Sequence, residues 1–442
     1  MGAALAGAAL AGLGASARPA AASPEDVFGY GARSAAMGAT GAAVSEGYEA
    51  VYGNPALLST ARERRLTLGM IGAIFDLSAG ADRAGGSASH AGDRRLSYDP
   101  LRGGLIGATL PVPFGGALAD RVVIGLGFFT PFDLIVRGRI LYPETPQFLL
   151  ADRVQSIAVQ ASLGLDVGHG IRVGGGFAAL AALSGSVLVA TDASGQVGTV
   201  VEDTLVASYG PILGASYDFG AYRIGATFRG ELVGRFNVVI EVKDLGQLTV
   251  PPLNISGVAQ YDPLQAALEV ARVEGDWTLS LGATYKRWSA YPGPAEATVR
   301  CPETDPETGE PWSGACDPLV PEDPGYSDTV VPRVGVERAF APRAGVTMKL
   351  RGGAFFEPSP APAQTGTSNL YDNHRAALTL GYGLSLGPPF PRISLDLFAQ
   401  LQLLLPRTHE KDASVPPDNA GAPSVETRGL IVAGGTTIGV AF

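Results

Sequence analysis

From Arg64 to the carboxy-terminus, apolar residues recur at every second position in run after run, the period of a strand with one apolar face. The last run is the clearest. Phe442, Val440, Ile438, Val432 and Leu430 share a face with Thr436 and Gly434, while the other face carries only Ala441, Gly439, Thr437, Gly435, Ala433, Ile431 and Gly429. In 373–387, Ala376, Leu378, Leu380, Tyr382, Leu384 and Leu386 oppose Thr379, Gly381, Gly383 and Ser385. In 391–406, Ile393, Leu395, Leu397, Leu401, Leu403 and Leu405 oppose Ser394, Asp396, Gln400 and Gln402. In 276–291, Trp277, Leu279, Leu281 and Tyr285 fall on one side, with an aromatic at each end as a membrane interface requires. Strands that are apolar outside and small or polar inside, closing on an aromatic terminus, predict an outer-membrane barrel. The competing reading of the last strand is a soluble sandwich.

Fourteen strand-like segments can be marked, at 64–80, 102–113, 120–130, 153–167, 170–190, 203–219, 221–241, 253–262, 276–291, 328–340, 343–357, 373–387, 391–406 and 426–442. The predicted fold is all-β, a 14-stranded antiparallel transmembrane β-barrel over residues 64–442. One stretch, Val173 to Thr191, is uncharged and long enough to suggest a spanning helix. It opens on Gly174-Gly175-Gly176, poor helix material, and is read as a strand. Connections after the fourth, sixth, tenth and twelfth segments are very short, whereas those after the odd-numbered ones are mostly long. Short periplasmic turns alternating with long outer loops are the outer-membrane pattern, and a sandwich has no reason to show it. Leu264 to Glu274 breaks the rhythm and is read as a long turn able to form a short helix.

Composition narrows the function. The chain is 46% hydrophobic and 17% charged, with 60 glycines and a net charge of −10. That charge argues against nucleic acid. Two cysteines and four scattered histidines offer no zinc-like cluster, so neither metal nor cofactor is expected. Residues 3–15 and Ala20-Ala21-Ala22 resemble the apolar core and cleavage site of a secretory signal, so residues 1–22 are read as a leader and Ser23 as the mature start. No Lys or Arg precedes the run. Cys301 and Cys316 sit in a loop, 292–327, with eight acidic residues and one arginine. In an exported chain they are expected to form a disulfide that keeps the loop compact, contributing about 3 kcal/mol on the chain-entropy model.

Residues 23–63 do not alternate. The small, apolar run Phe28-Gly29-Tyr30-Gly31-Ala32-Arg33-Ser34-Ala35-Ala36-Met37-Gly38 leads to Asn54-Pro55-Ala56. A free tail of this composition would aggregate, so it is expected to fold into the lumen as a hatch. The pattern resembles the amino-terminal hatch of FadL-type outer-membrane transporters for long-chain fatty acids and aromatic hydrocarbons. Lys286-Arg287-Trp288-Ser289, Phe356-Glu357-Pro358-Ser359-Pro360 and Asn369-Leu370-Tyr371-Asp372-Asn373-His374-Arg375 are similar to that family as well. The resemblance implies a fourteen-stranded barrel and passive uptake of a hydrophobic molecule, captured by outer loops and held against the hatch. It also implies a sideways exit at a kink in the third strand, near Gly125 to Pro131, with Phe128 and Phe129 as ligand-contacting residues. The hatch positions carried over are Asn54, Pro55 and Ala56, with Met37 and Gly38 in support.

The charged residues add an independent argument. Arg223, Arg229, Glu231, Arg235, Arg333, Glu337, Lys349, Arg351 and Glu357 must face inward, since each would cost roughly 2–4 kcal/mol on the lipid face. They either brace the barrel against the hatch or hold a ligand carboxylate, for which Arg229, Arg333 and Arg351 are the candidates. Expected partners are thus a hydrophobic small molecule, outer-membrane lipid and lipopolysaccharide, and the barrel assembly machinery through Phe442, with the protein acting as a monomer. Other classes are a scaffold anchoring a surface or secreted protein, and a porin, which a plugged lumen disfavours. An enzyme is not expected. His374 beside Asp372 is the nearest to a base and its orienter, and it reads as a loop-end pair.

Overall fold

The computed structural model describes residues 23–81, 94–132, 144–148, 150, 157–191, 197–243, 253–291, 293, 295–299 and 323–442. The expected leader and the Cys301–Cys316 pair lie outside these residues. Fourteen strands pair antiparallel, each with the next. They are β1 (Arg65–Ala81), β2 (Leu101–Pro111), β3 (Val122–Pro131), β4 (Ala158–Gly168), β5 (Ile171–Thr191), β6 (Val197–Phe219) and β7 (Tyr222–Arg229). The second half is β8 (Gln265–Glu274), β9 (Trp277–Lys286), β10 (Thr329–Arg343), β11 (Val346–Glu357), β12 (Arg375–Leu386), β13 (Ile393–Glu410) and β14 (Ser424–Ala441). β14 returns to β1 in continuous register from Arg65↔Ala441 to Ala81↔Val425, which closes the barrel. Closure leaves no backbone edge in the wall, the condition for a sheet to cross lipid.

Side-chain burial is inverted relative to a soluble protein. Leu378 and Leu380 are 66% and 68% exposed, while Gln400 and Gln402 are 2% and 0%. Only a hydrocarbon solvent makes that arrangement favourable. Tyr217, Phe219 and Tyr222 stack in series around the Gly220–Ala221 turn, ring centroids 5.8 and 5.6 Å apart, and Trp277 is exposed at the same end. Exposed Phe177, Tyr209 and Tyr285 lie toward the opposite end, so the apolar band is bounded by aromatics on both sides. The Val173–Thr191 stretch lies within β5, as a strand.

The structure corrects the strand list at one place. Gln265–Glu274 is neither turn nor helix but barrel strand β8, paired with β7 on one edge and β9 on the other. Its Ala, Leu, Glu and Arg favour a helix, but pairing on both edges outweighs that weak preference. The 221–241 segment is likewise two elements. β7 stops at Arg229, and Leu232–Lys243 with Leu253–Asp262 forms a hairpin outside the wall. One segment wrongly placed in the wall and one wrongly left out of it cancel, which is why fourteen is the right number. Glu231 and Arg235 accordingly belong to the excursion rather than the barrel wall. The hairpin pairs in parallel with the upper part of β5, from Phe236↔Leu183 to Lys243↔Ala190, where β4 has ended. Ala295–Val299 adds to its other side, so a small open sheet stands above the loop end.

Inside lies the hatch, built from α1 (Pro24–Phe28), α2 (Ala32–Ala36), α3 (Ala50–Gly53) and two 3-10 turns at Gly47–Glu49 and Pro55–Thr60. Ser23 and Asn54 cap by accepting from Asp26 N and Ala56 N, and Pro24 and Pro55 occupy the first turn where a missing N–H costs nothing. Phe28, Met37, Leu57 and Leu58 are fully buried. The hatch approaches the wall closely because the inward positions opposite it are glycines. A Cβ at Gly335 would sit 2.6 Å from the Met37 carbonyl oxygen, and one at Gly164 2.5 Å from that of Pro55. Gly174, Gly214, Gly225 and Gly353 are equally occluded by hatch backbone or Asn54.

Candidate functional site

Chain direction divides the lumen into two halves with the hatch between them. Toward the loop end, Phe75, Leu77, Leu101, Phe129, Leu180 and Leu232 form one buried apolar cluster with Val27 and Phe28 of α1. Toward the turn end is a polar vestibule of about 610 Å³ lined by Arg33, Glu46, Arg62, Arg65, Lys349 and Asp396, among others. Two ion networks tie the hatch to the wall. In the first, Glu337 accepts from Arg33 Nε at 2.9 Å and from Arg351 Nε at 2.6 Å, and Arg351 Nη1 donates to Asp396 at 2.5 Å. In the second, the fully buried Lys286 lies 2.7 Å from Asp26 and 2.6 Å from Glu357, which also pairs with Arg375 at 2.8 Å. Burial of this kind is tolerable only because each charge is matched and hydrogen-bonded.

Hydrogen bonds to hatch backbone complete the attachment. Glu269 accepts from Gly41 N and Ala42 N at 2.9 and 3.0 Å, and from Ser280 Oγ at 2.6 Å. Gln400 Nε2 donates to the Phe28 and Ala35 carbonyls, and Thr379 Oγ1 accepts from Gly38 N while donating to Ala36 O. Asn54 Nδ2 reaches both Ala42 O within the hatch, at 2.6 Å, and Ala215 O on β6, at 3.0 Å. The Asn-Pro-Ala element therefore closes the hatch on itself and fastens it to the wall. Met37 and Gly38 supply the backbone that lies against Gly335 and Gly353.

The three candidate arginines separate. Arg351 is committed to Glu337 and Asp396 in the turn-end network. Arg229 and Arg333 instead share the border of a small cavity of about 40 Å³ with Glu25, Asp26, Tyr30, Tyr52 and Glu269. Neither pairs with a carboxylate within 4 Å among the described residues. Arg229 donates to Tyr52 O and Gln265 Oε1 and lies 4.4 Å above the Tyr52 ring, with its Nε unpartnered among the described residues. Arg333 donates to Ala39 O at 3.3 Å and lies 5.2 Å from the Phe355 ring centroid. A cavity of that size has room for one or two waters, so a larger occupant requires the hatch to move.

Phe129 is buried in the apolar half of the lumen, but Phe128 points to lipid beside Ile106 and Val159. The expected kink is also absent from this part of β3. Val123 to Phe129 is paired on both edges without a register shift, and Thr130 and Pro131 pair with β2 alone among the described residues. Gly125 and Gly127, in the stretch where the resemblance implied a kink, make room for Leu58, Val51 and Tyr30 of the hatch. His374 Nδ1 accepts from the Ser359 amide at 2.9 Å, a contact that ties two loop ends together. Sequence reasoning did not single out Glu269, Gln400, Thr379 or the Lys286 network as hatch anchors. Their signal was polar residues at inward positions of strands otherwise paved with small ones.

No family model matches this sequence, nor does any curated protein. Solved structures do. A Pseudomonas aeruginosa FadL homologue superposes over 97% of this chain and 99% of its own, at a TM-score of 0.59 and 15% identity. The fold is that of the FadL-type barrels. The Pseudomonas putida toluene transporter TodX gives a TM-score of 0.55 and the Ralstonia pickettii toluene transporter TbuX 0.51, each at 16% identity over 94% of this chain and 99% of its own. At such identities the likeness is one of fold.

Proposed function

We propose that this protein is a Gram-negative outer-membrane transporter that takes up hydrophobic small molecules by diffusion, with long-chain fatty acids as the preferred substrate. The observation that carries the reading is the divided lumen. A buried apolar cluster meets a hatch bordered by Arg229 and Arg333, neither of which has a carboxylate partner among the described residues. A fatty acid would place its chain among Phe129, Leu180 and Leu232 and its carboxylate between the two guanidiniums, a charge-assisted contact. The shared fold with a FadL homologue and toluene transporters supports the broader statement, hydrophobic uptake. The hatch also argues against a porin, because a wall-to-hatch seal leaves no wide aqueous path.

The test is binding of a fluorescent long-chain fatty acid to the detergent-solubilised barrel, with fatty acid and toluene as competitors. Displacement by fatty acid alone, lost in Arg229→Ala or Arg333→Ala, supports the carboxylate clamp. Displacement by both means an apolar site without headgroup selection. Absence of saturable binding would overturn uptake and favour the second reading, a scaffold for a surface or secreted protein. The sheet above the loop end, whose Ala295–Val299 strand has no second partner among the described residues, supports that alternative, since a free edge accepts a further strand.

A further inference from the structure

Ser23 is only 2% exposed, and its backbone nitrogen donates to Asp262 Oδ1, where the loop-end hairpin descends to β8. Three buried carboxyls meet there: Asp262, Glu25 and Asp26. Asp26 has Lys286 at 2.7 Å. Neither carboxyl oxygen of Glu25 has a hydrogen-bond partner among the described residues, although the side chain is 4% exposed. Asp262 likewise forms no ion pair among them. Burial pushes the Asp262 carboxyl up to about 8, with repulsion from Asp26 and Glu25 adding to it, and raises Glu25 to about 7. Arg229 and Arg333 border the same cavity as Glu25 and Asp26, yet neither lies within 4 Å of a carboxylate, so Asp262 and Glu25 face the Ser23 nitrogen without a paired cation among the described residues.

The residues before that nitrogen, Ala20-Ala21-Ala22, are the small side chains a leader peptidase accepts. We propose that cleavage between Ala22 and Ser23 creates an α-ammonium that pairs with Asp262 and Glu25, so that export processing itself supplies the cation fastening the hatch. The chemistry is peptide hydrolysis. The C–N bond breaks, the oxygen of water completes the Ala22 carboxylate, and the Ser23 nitrogen takes up protons to become –NH3+. An uncut amide offers one neutral N–H, whereas the ammonium offers three donors and a full charge, and charge-assisted bonds are roughly twice as strong. The position is demanding. A start one residue earlier would displace the charge by about 3.8 Å along the chain.

Three measurements test this on the exported full-length protein. Intact mass and amino-terminal sequencing should give Ser23 as the first residue; any other start overturns the proposal. Reductive methylation, read by mass on the amino-terminal peptide, should modify Ser23 at least tenfold more slowly in the folded barrel than after denaturation. Equal rates would overturn it. Asp262→Asn and Glu25→Gln should each restore at least part of that reactivity, with barrel integrity checked by heat-modifiable gel migration. An insertion of Ala between Ala22 and Ser23, which alters neither acid, should also free the amine. If folded Asp262→Asn, Glu25→Gln and the insertion all keep wild-type protection, the amine is merely enclosed and the ion pair does not exist. None of these readouts involves a transported ligand, so their failure is separate from failure of the uptake reading.

Discussion

Replacing Gly335 by Ala adds a single methyl where β10 meets the hatch, and the expected consequence can be worked from the geometry. The new Cβ would lie 2.6 Å from Met37 O, 2.9 Å from Thr40 Oγ1 and 3.0 Å from Met37 Cβ. The first neighbour is backbone and cannot rotate away, so the hatch must be pushed off the wall. Overpacking of this kind costs about 1–3 kcal/mol. Ala also restricts the unfolded chain more than Gly does, a gain of about 0.4–1 kcal/mol that works the other way. Gly72→Ala is the control, because its Cβ would find nothing nearer than Leu101 O at 3.6 Å. The entropic gain is common to both variants, so their difference isolates the collision. At about 1.4 kcal/mol per factor of ten, hatch amides such as Gly38 and Thr40 should exchange hydrogen roughly 5- to 150-fold faster in Gly335→Ala than in Gly72→Ala. Exchange rates equal within about threefold would refute the claim that wall glycines set the position of the hatch.

Other perturbations separate the remaining contacts. Glu337→Gln leaves Arg33 and Arg351 buried against a neutral side chain, and should destabilise the hatch by about 3–5 kcal/mol in urea-dependent proteolysis. Glu269→Gln keeps the shape but removes the charge accepting two hatch amides, with an expected loss of about 1–3 kcal/mol by the same assay. Phe129→Ala should cost about 3–5 kcal/mol and weaken binding of any hydrophobic ligand, whereas Phe128→Ala should leave binding within experimental error because that ring faces lipid. Equal effects of the two phenylalanine variants in a fluorescence titration would mean that the assigned strand facing is wrong.

Much of the architecture was legible because a barrel in lipid writes its facing into every second residue. The alternation in β12, β13 and β14 predicted the observed outward leucines and inward glutamines. β8 escaped because Gln265–Glu274 is composed of helix formers, and its boundary signal, the two-residue turn Gly275–Asp276 with Gly275 at φ +57°, was absorbed into a supposed long turn. β7 was overrun because Gly230 and Glu231 do not break the apolar pattern, although the chain leaves the wall there. The candidate site was legible only in part. Period-two facing placed Arg229, Arg333 and Arg351 inside, but their division between cavity and brace depends on Asp396 and Glu337, which pairing across strands brings near. The glycines of β3 show in the sequence that space is left beside them, but not that Leu58, Val51 and Tyr30 of the hatch fill it.

The hatch touches β2 through Tyr48 at Gly107, β6 through Asn54, β10 through Met37 and β13 through Gln400, so its seat is assembled from nearly the whole circumference. It is also the segment of the described chain that leaves the ribosome first. Its partners are separated from it by up to 375 residues, as in the Gln402–Val27 bond. The earliest part made must therefore wait until the last strand has paired, and contacts of such long range form slowly. Until then its buried Phe28, Leu57 and Leu58 have nothing to cover them, which makes the interval between synthesis and closure the period when this chain most depends on a chaperone.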